Sequence, residues 1–190
     1  VVGCLGYPDD RRPGRTPVYA LHLSDFHIAE VPTTGQAPGW VFQHEATAQA
    51  DGLITIQGGE VIEEREGQRR NRRNVELYAL DTRSGTWRRL TDRNWPQFRV
   101  RREDYRLFPY NPDIKPQQIL PRTVDYVVLP CDEWKETRIA VEGIPVSVTT
   151  EMRHVEILVE GVLPEDLTRR LVEDIRANTE AAVQAACVLE

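Results

Sequence analysis

The sequence predicts a mainly β chain with an α+β C-terminal part. Three observations carry that expectation. A strand–turn–strand unit occurs twice in the first half. A proline-rich stretch follows it. Alternating strands then lead to one apolar stripe of helical period after Pro164.

The second copy of the repeated unit is the clearer. Gly52-Leu53-Ile54-Thr55-Ile56-Gln57 reads as a strand closed by Gly58-Gly59. Val75-Glu76-Leu77-Tyr78-Ala79-Leu80 gives a second, period-two strand. Asp81-Thr82-Arg83-Ser84-Gly85 is turn chemistry, because Asp and Ser bond the local backbone and Gly accepts positive φ. Thr86-Trp87-Arg88-Arg89-Leu90 is the partner strand. The first copy runs Val1-Val2-Gly3-Cys4, then Val18-Tyr19-Ala20-Leu21, a short turn at Ser24-Asp25, and a strand over 26–31.

The unit resembles the kelch repeat of β-propellers. The residues that carry the resemblance are the Gly58-Gly59 pair, Tyr78, and Trp87 after its turn. Their counterparts are Gly3-Cys4, Tyr19 and Phe26. The offset is 55 from Gly3 to Gly58 and 61 from Phe26 to Trp87, near the kelch period of about 50. Gly35-Gln36-Ala37-Pro38-Gly39 matches an inter-blade turn, and His44-Glu45-Ala46-Thr47-Ala48 a small-residue first strand. The resemblance implies a kelch-like antiparallel β-meander over residues 1–98, with aromatics packed between sheets. Propellers have about four to eight blades. Two copies therefore imply an incomplete propeller. Cys4 in place of the second glycine, and Trp40 where the family commonly has Arg, depart from the pattern.

Segment 60–74 interrupts the second copy and is nearly all charge. Glu60, Glu63, Glu64, Arg65 and Glu66 precede Arg69, Arg70, Arg72 and Arg73. In kelch-like proteins such loops carry partner contacts. Arg69, Arg70, Arg72 and Arg73 are thus candidate contacts for an acidic partner or a phosphate. A solvated hairpin tip is the alternative for the same residues. Trp40 and Trp95 are the candidate exposed aromatic contacts.

Residues 99–123 read as a linker or wrapping segment, punctuated by Pro109, Pro112, Pro116 and Pro121. Its aromatics Tyr105, Phe108 and Tyr110 favour wrapping. Residues 124–190 form a small β-sheet plus one amphipathic helix. A strand over 123–129 precedes a hairpin over 138–149 with its turn at Gly143-Ile144, and another strand covers 155–160. Pro164 suits the first helical position, and Glu165 and Asp166 favour the positive helix end. Leu167, Leu171, Ile175, Ala182 and Ala186 form the apolar stripe, and Cys187-Val188-Leu189 a short last strand.

Composition narrows the function. The formal charge is −6 with a pI near 5.4, which disfavours nucleic acid as a partner. Lysine occurs only at 115 and 135, so nearly all basic residues are arginine. Cys4, Cys131 and Cys187 are too dispersed for a disulfide framework or a zinc site. No apolar run is long enough to span a bilayer, and no signal peptide opens the chain. The expected location is the cytoplasm. The chain begins without Met inside an apolar strand, as a piece of a longer protein does.

Ser24-Asp25-Phe26-His27 resembles the first metal motif of calcineurin-like phosphoesterases, but that family's other metal motifs have no counterpart here. No P-loop, nucleophile elbow or His-Glu-x-x-His occurs. The leading expectation is a non-catalytic protein–protein interaction module with an unknown protein partner, no cofactor, no metal and no membrane or nucleic-acid contact. A small acidic bacterial immunity-type protein that neutralises a toxin is one alternative. A metal-dependent hydrolase using Asp25 and His27 is the other.

Overall fold

A computed structural model describes residues 1–65, 67–108 and 114–190. Glu66, Pro109, Tyr110 and Pro112, named above, lie outside the described residues. The chain is mainly β with a single C-terminal helix. It divides into two compact units, Val1–Asn94 and Trp95–Glu190.

In the N-terminal unit, Val2 bridges Val18, and β1 (Tyr19–Leu21) pairs antiparallel with β2 (Ile28–Glu30). β3 (Thr34–Gly35) lies parallel to β10 (Thr86–Arg89) at the edge of a five-stranded sheet. That sheet continues through β9 (Tyr78–Asp81) and β6 (Leu53–Gln57) to β5 (Glu45–Ala48). β5, β6, β9 and β10 therefore form an antiparallel meander. A third sheet joins β4 (Trp40–Phe42) to β7 (Glu60–Arg65) and β8 (Gln68–Arg73). Among the described residues these sheets do not close into a propeller or barrel.

Trp87 is buried with Val18, Val41, Ile56, Val61 and Leu80. Phe26, its counterpart in the first copy, is not. It sits in the β1–β2 turn at φ 56° and is 75% exposed. The first copy has only three-residue strands, and its second strand starts at Ile28, two positions too late to draw Phe26 inward.

Two glycines share one role. A Cβ on Gly59 would lie 2.3 Å from the Phe42 carbonyl oxygen, and one on Gly3 would lie 2.5 Å from that of Val41. Both have positive φ, 73° and 63°. Each lets a neighbouring backbone approach β4. Gly58 meets nothing within 4 Å, so the structural partner of Gly3 is Gly59, one residue beyond the alignment by sequence.

The C-terminal unit is one six-stranded sheet in the order β12 (Val127–Leu129), β13 (Glu136–Val141), β14 (Ile144–Thr150), β15 (His154–Val159), β11 (Gln97–Arg102), β16 (Cys187–Leu189). All its pairings are antiparallel. The expected boundary at 98 and linker from 99 are corrected here. β11 is an interior strand, with Phe98 and Val100 turned to the core and Arg99 and Arg101 on the other face. Phe108, Ile119 and Leu120 of the following segment are buried in the same core.

Helix α1 (Glu165–Val183) covers one sheet face. Pro164 is its N-cap, one position before the expected first helical site. The stripe is Leu167, Leu171, Val172, Ile175, Thr179 and Val183, a spacing that returns to one face each turn. Ala182 and Ala186 are exposed. Thr179 fits the interior because its hydroxyl donates to the Ile175 carbonyl at 2.7 Å.

Candidate interaction surfaces

Segment 60–74 is a regular hairpin, which corrects its reading as a loop. Its register sets Glu60 opposite Arg73, Glu63 opposite Arg70, and Glu64 opposite Arg69. Opposite charges on facing positions stabilise an antiparallel ladder. Three of the six rungs thus set an acid against an arginine, and the others are Val61–Arg72, Ile62–Asn71 and Arg65–Gln68. Arg69 donates to the Pro8 carbonyl at 2.7 Å, and Arg72 pairs with Glu63 at 3.4 Å. Strand alternation sends Arg69 and Arg73 to one face and Arg70 and Arg72 to the other. The four guanidinium groups do not converge on one anion.

Trp40 is corrected as well. It is 4% exposed and packs with Phe42 and Ile62. Its indole N–H donates to the Leu5 carbonyl at 3.2 Å. Trp40 is the largest side chain of that small core. Trp95 is partly buried at the start of the C-terminal unit.

The β1–β2 hairpin presents an exposed apolar surface. Leu21 and Ile28 face each other across the pair, and both are exposed. Leu23, 77% exposed, and Phe26 extend the apolar tip. The turn is closed by a hydrogen bond from the His22 amide to the His27 carbonyl, 2.8 Å, with the two imidazoles stacked at 6.1 Å. Asp25 accepts from the His27 amide at 3.1 Å. That bond is an Asx turn, which fixes the backbone. Among the described residues no three His, Cys, Asp or Glu side chains cluster to hold a metal. The three thiols are free, and burial raises the pKa of Cys187.

The C-terminal unit offers two further features. On the sheet face away from α1, Glu156 receives Arg99 and His154, the latter at 3.2 Å. Arg101 pairs with Glu190 at 2.6 Å, and Arg138 with Glu160 at 2.7 Å. Burial alone would raise the Glu156 pKa. The His154 hydrogen bond and the Arg99 charge outweigh it and hold the carboxyl at about 2. The cluster is an ion-pair ladder that binds three strands together.

The second feature is the edge strand β12. Asp174 of α1 accepts from the amides of Arg122 and Thr123 at 2.9 and 2.6 Å and from the Thr123 hydroxyl at 2.7 Å. Burial opposes its charge, but these bonds prevail and lower its pKa. Asn178 donates to the Leu120 carbonyl at 2.7 Å. The helix thus holds segment 120–123 and aims the chain into β12. Val127 and Val128 there are 67% and 60% exposed. Where the chain leaves its register with β13, a cavity of about 530 Å³ opens between residues 123–127, the turn region 140–143, and Leu167 and Arg170 of α1.

Comparison with protein-family models, curated proteins and solved structures finds no match for the chain. No helix among the described residues is long and apolar enough to cross a membrane.

Proposed function

We propose that this protein is a non-catalytic protein–protein interaction module, in which kelch-like β repeats carry the contact surface. One observation carries the reading: Leu21, Leu23, Phe26 and Ile28 stand exposed together on the β1–β2 hairpin. Monomers rarely leave contiguous large apolar side chains in water, and such patches mark contact sites. The four-stranded meander of β5, β6, β9 and β10 supports the kelch-like part of the proposal. The partner surface is apolar, and the hairpin tip replaces the arginine segment as the principal contact.

Site-specific photo-crosslinking from position 23 in the full chain tests this. A defined partner should be trapped, and Phe26→Ser should abolish trapping while thermal unfolding stays unchanged. A partner still trapped with equal yield by Phe26→Ser removes the hairpin from the contact.

A further inference from the structure

β12 is an outer strand of the six-stranded sheet and, among the described residues, pairs only with β13. Alternate residues of such a strand point N–H and C=O groups away from the sheet. Proteins commonly blunt an edge by shortness, as the three residues of β12 do, or with charge or proline inside the strand. β12 carries neither in Val127-Val128-Leu129, and its two valines are exposed on opposite faces.

The cavity at the head of β12 supplies a second, independent element. Its wall includes the apolar Val124, Val141 and Leu167 and the carboxylates Asp125 and Glu142. The register places Val127 opposite Ala140. Continuing it brings Asp125 level with Glu142, where the strands have already parted. Neither carboxylate has a hydrogen-bond or ion-pair partner among the described residues. Arg170, the cation of the lining, already lies 3.8 Å from Asp166. The unbalanced charge of the cavity is therefore negative.

We infer that the edge of β12 and this cavity together dock an extended peptide segment bearing a lysine or arginine side chain. The peptide adds a strand to β12, so main-chain hydrogen bonds hold it in register. Its long basic side chain lays its methylene stem along the exposed Val127 and directs its head to Asp125 and Glu142, which the register sets on the same sheet face. An acidic segment meets two unpaired carboxylates and is repelled. This site lies in the C-terminal unit and stands independently of the β1–β2 hairpin.

The test uses the full chain and two labelled peptides, one alternating valine and lysine, the other valine and glutamate. Binding is read by fluorescence anisotropy and by amide hydrogen exchange at Val127 and Val128. The lysine peptide should bind and slow exchange at those amides. The double variant Asp125→Asn/Glu142→Gln should weaken it by about tenfold or more. The glutamate peptide should show no binding. Unchanged affinity in the double variant, equal binding of both peptides, or binding without slower β12 exchange each overturns the proposal. So does free arginine amide binding as tightly as the lysine peptide, which would make the cavity a site for small cations. Dimerisation of the chain through β12, seen by sedimentation, would assign the edge to a second copy instead.

Discussion

Residues 1–94 and 95–190 use chains of nearly equal length in opposite ways. Among the described residues, the first unit spreads its strands over three sheets and divides its core into clusters of six and three buried residues. The second commits to one sheet, one helix and one cluster of nineteen. A continuous core gives each buried side chain many neighbours and resists local opening. Divided cores leave hairpins projecting into solvent. The first unit thus divides its packing among small clusters, while the second gathers it on one sheet whose edge strands are β12 and β16.

The largest expected effect strikes the divided core. Trp87→Ala removes its biggest fully buried side chain and should cost about 3–5 kcal/mol. Native-state hydrogen exchange should then show residues 1–94 opening while β13–β15 stay protected. Equal loss of protection in both units would break the comparison.

The ladder on the second unit's sheet gives the next effect. The Glu156 carboxyl falls from 4.5 to about 2 on folding, which corresponds to roughly 3 kcal/mol. A depressed carboxyl pKa contributes above the unfolded value and loses that contribution as pH falls through the folded one. Wild-type stability should therefore decline between pH 4.5 and 2. In Glu156→Gln, urea titration should find stability already lower at pH 7 and this segment of the decline missing. An identical pH profile in the variant would remove Glu156 from the ladder.

Gly59→Ala should follow, at about 1–3 kcal/mol. It combines positive φ with a Cβ pressed on the Phe42 carbonyl. Gly58→Ala, which meets open space, should cost only about 1 kcal/mol. Equal costs, measured by chemical denaturation, would cancel the assignment of Gly59 as partner of Gly3. Smallest is Glu63→Arg, which sets like charges opposite each other on the β7–β8 hairpin and should cost about 0.2–1 kcal/mol. Salt should recover part of it.

Much of the fold was legible because its signals are local. The strand periods around Ile54, Tyr78, Val146 and Ile157, the Asp81–Gly85 turn chemistry and the helix after Pro164 depend on neighbours in sequence. The errors arose where distant residues decide. β11 shows clean alternation, with Phe98 and Val100 between arginines. Its prolines downstream masked it, and the carboxylates that neutralise its arginines come from Glu156 and Glu190. Segment 60–74 carried a readable signal too. Glu60, Glu63 and Glu64 and Arg69, Arg70 and Arg73 fall at mirrored positions of the two strands, as a charge-paired hairpin requires. Trp40 was misread because aromatic character alone does not distinguish a contact from a core. The β12 cavity was not legible at all, since it depends on Asp174 and Asn178 drawing segment 120–123 onto the helix.

The position of β11 also has a consequence during synthesis. It pairs with β15 on one side and β16 on the other, and its Arg101 meets Glu190 across 89 positions of sequence. While the ribosome is still extending the chain, β11 has left the tunnel with both flanks unpaired. The ladder on its second side closes only after Cys187–Leu189 has left the tunnel. Nascent chains stalled before Ala186 should therefore present an arginine-rich open strand to chaperones, although the first ninety-four residues are already complete.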